Sequence, residues 1–187
     1  NPTSYFRLVP HQEAPTNICW GDRNRSTLVR VPLGWSAQAD MSAIANPLEA
    51  QSKYDTRQKQ TVEIRSPDGS ANVYLLLASL AVACRYGFEL DNALEIAEKT
   101  YVNVNIHQKE NADRLKDLAQ LPDSCYASAE CLEKQRAVFE QHHVFSPAMI
   151  DGIIRKLRSY DDRTLRADID GKQEEMLELV KKYFHCG

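Results

Sequence analysis

Thr61-Val62-Glu63-Ile64-Arg65-Ser66-Pro67-Asp68-Gly69-Ser70-Ala71-Asn72 joins two kinds of pattern within one short stretch. Val62 and Ile64 alternate with Glu63 and Arg65, the period of a strand with one apolar face. Successive strand side chains point to opposite faces, so a carboxylate and a guanidinium share the other face. Ser-Pro-Asp-Gly then ends the strand, and a helix opens almost at once. The polar face has two readings. One is a surface ion pair beside a turn, worth little energetically. The other is a site in which Glu63 faces a cation and Arg65 an anion.

Toward the N-terminus the chain carries two more extended runs, Asn17-Ile18-Cys19-Trp20 and Ser26-Thr27-Leu28-Val29-Arg30-Val31, the second ended by Pro32. Gly21-Asp22-Arg23-Asn24-Arg25 lies between them as a tight connection. These runs and the Glu63 strand are expected to share one sheet, antiparallel where the first two meet. The region gathers Arg7, Arg23, Arg25 and Arg30 against only Glu13 and Asp22. Arg30 shares a strand face with Leu28, opposite Thr27, Val29 and Val31. A guanidinium on such a face needs an anion or carries a desolvation cost of several kcal/mol. Asp22 and Glu13 neutralise it locally, or the arginines line a pocket for phosphate or carboxylate, which forked donors bind bidentately. The residues leave both readings open.

Beyond these runs, Ser36 to Gln60 is polar, Ala-rich and weakly periodic, and reads as a surface excursion. From Val73 the pattern is helical. Val73 to Cys84 is apolar on every side, which predicts burial all round, and it is far shorter than the roughly 20 residues that span a bilayer. A second helix is capped by Asp91 and carries Ala93, Leu94, Ile96 and Ala97. A third covers about residues 109–118. A fourth, capped by Ser128, covers about residues 129–142. Ser146-Pro147 opens a fifth with Ile150, Ile153, Ile154 and Leu157 on one stripe. The last covers about residues 172–184, with Met176, Leu179, Val180 and Tyr183. The expected fold class is therefore α+β: a short sheet from the N-terminal third, packed on a mostly helical remainder. Residues 1–35 and 61–72 carry the site, 36–60 form the excursion, and 73–187 are helical, all within one domain.

The totals narrow the function classes. A net charge of -3 gives no general reason to expect nucleic acid or an anionic membrane as partner. Five cysteines without a Cys-x-x-Cys pair suit reduced thiols, and hence a cytoplasmic protein, better than a disulfide framework or zinc site. His142 and His143 are adjacent and diverge on a helix, so they cannot chelate one metal. No Gly-rich phosphate loop or Ser-His-Asp constellation is present.

Three motifs in order carry a family resemblance. Ser4-Tyr5-Phe6-Arg7-Leu8-Val9-Pro10 with Glu13-Ala14-Pro15 is similar to the substrate loop of the glutamine synthetase family. Asn24-Arg25-Ser26 with Arg30-Val31-Pro32 resembles its phosphate-binding strand. Val62-Glu63-Ile64-Arg65, with Pro67-Asp68 and Ala71-Asn72, resembles its metal and substrate strand. The resemblance implies the C-terminal part, residues 1–187, of the catalytic domain of an ATP-dependent ligase, in which ATP phosphorylates the side chain of L-glutamate and ammonia displaces the phosphate. It implies that Arg7 binds the glutamate carboxylate, and that Glu13 closes over the substrate and holds or deprotonates ammonium. Arg25 and Arg30 would neutralise charge on the ATP phosphates, with Arg25 and Glu13 in catalytic roles. Glu63 would ligate Mg²⁺ or Mn²⁺, and Arg65 would face glutamate or its phosphorylated side chain. Assembly of the full-length protein into stacked rings is also implied.

The sequence departs from the family in places. His11 stands where glycine is usual, Thr61 replaces an arginine near the nucleotide that Lys59 would have to supply, and the 36–60 excursion is long. The N-terminal β-grasp domain, the other metal carboxylates, the metal-binding histidine and the Gly-rich nucleotide loop of the family are not found here. Together with a start at Asn1-Pro2-Thr3, this leads to the expectation of a piece of a longer protein, inactive by itself. The alternatives are a ligase joining glutamate to a polyamine or other amine, and a non-catalytic member of the fold used for binding or assembly.

Overall fold

In the computed structural model, residues 1–8, 15–32, 44–48, 61–106, 108, 111, 113 and 116–184 are described. A 3-10 helix opens the chain at Pro2–Arg7, with Asn1 as its cap and Pro2 fixing the first turn. Among the described residues three short strands follow: β1 (Trp20–Asp22), β2 (Val29–Val31) and β3 (Glu63–Ile64). The helices are α1 (Val73–Glu89), α2 (Ala93–Thr100), α3 (Cys125–Glu140), α4 (Pro147–Arg158), α5 (Leu165–Asp168) and α6 (Gln173–Tyr183). The α+β class holds.

The sheet runs β1-β2-β3 and is mixed. β2 and β3 are antiparallel, with Arg30 opposite Glu63. β1 and β2 are parallel, with Gly21 opposite Arg30, which corrects the expected antiparallel pairing. The intervening turn explains the difference. Asn24 Nδ2 donates to the carbonyls of Val102 (3.0 Å) and Val104 (2.9 Å), while its Oδ1 accepts from the Ser26 amide (3.0 Å) and hydroxyl (2.7 Å). With every donor and acceptor of that amide engaged, the loop coils back on itself instead of closing a hairpin. Gly21 is required beneath it, because a Cβ there would stand 2.3 Å from the Val102 carbonyl oxygen. The other edge of β1 is met by the Val102 amide, which donates to the Trp20 carbonyl at 2.8 Å.

Among the described residues two apolar clusters hold these layers. Cys19, Val102 and Ile106 are buried beneath the sheet, with Val104 and Leu118 against them. Val82, Ala129, Phe145, Ile150 and Ile154 form the core among α1, α3 and α4, where Phe139 and Phe145 meet edge to face at 5.8 Å. The Ser146-Pro147 start is realised, with Ser146 Oγ accepting from the Met149 amide.

Other boundaries differ from expectation. α2 begins after Asn92 instead of Asp91. α3 begins after Ser124 rather than Ser128, because the Asp162 carboxylate, remote in sequence, accepts from the amides of Cys125 (2.8 Å) and Tyr126 (3.0 Å). Those are orphan donors of the first helical turn, and an anion there is also favoured by the helix dipole. Half of the expected 109–118 helix lies outside the described residues, and residues 116–118 are turn and bend.

α1 is not buried all round. Val82 is its one buried residue, while Val73, Leu77, Ala81, Cys84 and Phe88 are exposed. Their spacing places them on a single helical face. Leu77 is 64% exposed and Phe88 90%. The apolar face of β3 is likewise open, Val62 being 68% exposed.

Candidate active site

The polar face of β3 turns into a pocket of about 690 Å³ lined by Asp22, Arg23, Asn24, Arg25, Ser26, Arg30, Glu63, Arg65, Asn103, Val104 and Asn105. The ion-pair reading of that face is met, and the pair lies beside a pocket. Glu63 and Arg30, opposite one another across the β2–β3 pair, form an ion pair, so among the described residues the anion that Arg30 needs comes from Glu63 and not from Asp22. Arg65 Nε lies 3.8 Å from the second oxygen of Glu63, so the carboxylate stands between two guanidinium groups. The ion pair is thus part of the pocket wall.

Arg65 has a second task. Its Nη1 donates to the carbonyl of Arg25, and to that of Thr27 at 3.1 Å. The strand therefore grips the loop that carries Arg25. Thr27, fully buried, closes the same loop through its hydroxyl, which donates to the carbonyls of Asn24 (2.9 Å) and Val29 (3.0 Å) as a shared bond.

Arg7 is placed elsewhere. Its guanidinium donates to the carbonyls of Ser66 (2.6 Å), Pro67 (3.0 Å) and Arg65 (3.4 Å), bracing the turn that follows β3. It lines a second pocket of about 250 Å³ with Asp68, Ser70, Val180, Tyr183 and others. Burial would lift the Asp68 carboxyl, but hydrogen bonds from Ser4 and Ser70 outweigh it and hold the group below the usual range. The 3-10 helix is tied to the helical layer by the Tyr5 hydroxyl, which shares a 2.6 Å hydrogen bond with Ser128 Oγ. Burial, the largest influence, pushes that phenol up to about 12. Arg166 donates to the Tyr5 carbonyl, and to that of Leu8 at 3.2 Å. Glu13, His11 and Lys59 lie outside the described residues.

Arg25, Arg30, Glu63 and Arg65 are thus brought together, and Arg7 is not. The Asn24 brace and the Asn103–Asn105 lip of the pocket were not singled out in the sequence. Asn24 was accessible in principle, since asparagine between two arginines in a short loop is a turn former. The lip was not, because it reaches the pocket only through tertiary contact.

The donor set limits what metal these residues hold by themselves. Mg²⁺ prefers six oxygen ligands and takes them from few carboxylates. Glu63 supplies one carboxylate, already shared between two arginines. Among the described residues no group of three or more His, Cys, Asp or Glu side chains converges. They do not complete a metal site.

Comparison with known proteins bears on this arrangement. The model of the family "Glutamine synthetase, catalytic domain" matches residues 1–173. The chain belongs to the glutamine synthetase family. It is 32% identical to a glutamine synthetase of Thermococcus kodakarensis over 189 aligned positions, which are 99% of this chain and 37% of that protein. It is 34% identical to one of Streptomyces coelicolor, over 81% of this chain and 28% of the relative. With one of Salmonella typhimurium the identity is 31%, over 87% of this chain and 30% of the relative. The chain therefore spans well under half the length of the glutamine synthetases it matches. The pocket and its arginines fall inside the region matched to the glutamine synthetase catalytic domain.

Proposed function

We propose that this chain forms part of the active site of an ATP-dependent glutamate–ammonia ligase, acting through a γ-glutamyl phosphate. The observation that carries this reading is the convergence of Arg25, Arg30, Arg65 and Glu63 on one pocket. Phosphoryl transfer to a carboxylate asks little covalent chemistry of a protein. It asks for positive charge held where negative charge builds up. A pocket walled by guanidinium groups, on a loop fixed by Asn24 and Arg65, is suited to that task.

In this reading Arg25 and Arg30 face the ATP phosphates, and Arg65 the glutamate or its phosphorylated side chain. Arg7 binds the glutamate carboxylate with the guanidinium donors that the 65–67 carbonyls leave over. Glu13 covers the substrate and holds or deprotonates ammonium. Glu63 gives one carboxylate to Mg²⁺ or Mn²⁺, whose remaining ligands come from polypeptide outside this chain. The full-length protein assembles as stacked rings in the cytoplasm. The thiols of Cys19, Cys84, Cys125 and Cys131, all free, are consistent with a reducing compartment.

By the same reading, residues 1–187 alone neither make glutamine nor bind the metal tightly. The test compares the isolated chain with the full-length protein that contains it. Glutamine formation from glutamate, ATP and ammonia is expected only from the latter, and glutamine made by the isolated chain would overturn the reading. Assay of the full-length protein with larger amines in place of ammonia fixes the acceptor.

A further inference from the structure

We propose that Arg23 is a further phosphate-binding residue of the main pocket, paired with Arg25 and beside the Arg30 that Glu63 already holds. This rests on the ATP reading above and sharpens it. Four guanidinium groups line the pocket, but they differ in what they already hold. Arg30 is engaged by Glu63. Arg65 is engaged by the carbonyls of Arg25 and Thr27 and by the second Glu63 oxygen. Arg23 and Arg25 are exposed, and among the described residues neither side chain has a hydrogen bond or ion pair. An incoming polyphosphate would have to displace existing partners to use Arg30 or Arg65 fully. It meets Arg23 and Arg25 with their forks open.

The backbone adds a second observation. Arg23 has φ of 55°, in the left-handed region that side-chain-bearing residues avoid. Gly or Asn would fill that position with less strain. The strained turn nevertheless presents a cation to the pocket, two residues before Arg25, on a loop that Asn24 holds rigid. Among the described residues the pocket wall carries four guanidinium groups (Arg23, Arg25, Arg30, Arg65) against two carboxylates (Asp22, Glu63), a formal surplus of two positive charges. That surplus resides on the pair without partners, and it suits an anion bearing several negative charges.

The test is calorimetric titration of this chain with inorganic tripolyphosphate, without metal and at low ionic strength. Arg23→Gln, Arg23→Gly and Arg25→Gln are compared with Arg155→Gln, which removes one exposed charge from α4 away from the pocket. Arg23→Gln and Arg23→Gly are each expected to weaken binding by about five- to tenfold, the loss of one good charge-assisted contact. Arg155→Gln is expected to change it by less than about twofold, as a solvent-exposed charge on another element that does not line the pocket. Arg23→Gly should also raise the thermal midpoint by relieving the left-handed turn, so weaker binding by a more stable protein excludes misfolding as the cause. If the Arg23 variants behave like Arg155→Gln while Arg25→Gln weakens binding, this inference fails and the ATP reading stands. If the unaltered chain does not bind tripolyphosphate, both fall.

Discussion

Glu63 stands between Arg30 and Arg65, and the three side chains have different energetic meanings. The side chains of Arg30 and Arg65 are 22% and 21% exposed, so they are neither solvated surface charges nor fully desolvated ones. Replacing Glu63 with Gln leaves Arg30 half-buried without its anion. The expected cost is about 1 kcal/mol, between surface and buried pairs. A double-mutant cycle with Arg30→Gln and Glu63→Gln, followed by denaturant unfolding, should return a favourable coupling. A more rigid constraint lies at Gly21. The atom that a Cβ would strike is backbone oxygen, which cannot rotate away. Gly21→Ala is expected to cost about 2–3 kcal/mol, the range of overpacked sites, and to be visible as a lowered urea midpoint. At Asp68 the prediction is one of pH. Its carboxyl is held lower in the folded chain than in the unfolded one. Its contribution is therefore complete above the unfolded carboxylate range near pH 4 and is lost as pH falls through the lower folded value. Asp68→Asn should accordingly flatten the acid limb of the stability profile and leave its neutral-pH shape unchanged.

The helices and strands show where local sequence suffices. Ser146-Pro147 announces α4 correctly, because a cap and a first-turn proline act within one turn of each other. The stripe of Ile150 and Ile154 is buried as its spacing predicts. The start of α3 escapes such reading, since half of its capping comes from Asp162. Asp162→Ala is expected to destabilise the fold by about 1–2 kcal/mol, comparable to removal of a strong cap. Ser128→Ala should act differently, loosening Tyr5 rather than the helix start. Thermal unfolding of the two variants distinguishes these roles. The parallel β1–β2 pairing was likewise hidden, because two of the four hydrogen bonds of Asn24 reach across to Val102 and Val104.

At the scale of the whole molecule, the site was more legible than the packing. Arg25, Arg30, Glu63 and Arg65 carry short-range motifs, and the strand register of β2 on β3 joins them into one wall. Arg7 was legible as part of a motif but not in its placement on the 65–67 carbonyls. The exposure of α1 was not legible at all, since an apolar helix reads as buried whatever covers it. Its stripe from Val73 to Phe88 lies open in this chain, and an apolar face of that extent favours association with other apolar surface. Replacement of Leu77 and Phe88 by Gln is therefore expected to lower the binding of a hydrophobic dye and to raise solubility. Stability should change little, because both side chains are already exposed.

In the proposed reaction the guanidinium-walled pocket receives the phosphates of ATP while glutamate is activated. It is tested most directly by glutamate- and ammonia-dependent release of phosphate from ATP, measured on the full-length protein with and without Arg25→Gln. A fall in kcat of about a hundredfold or more is expected, the usual scale for removing one preorganised charge from a transition state, with the fold intact. An unchanged rate would contradict it.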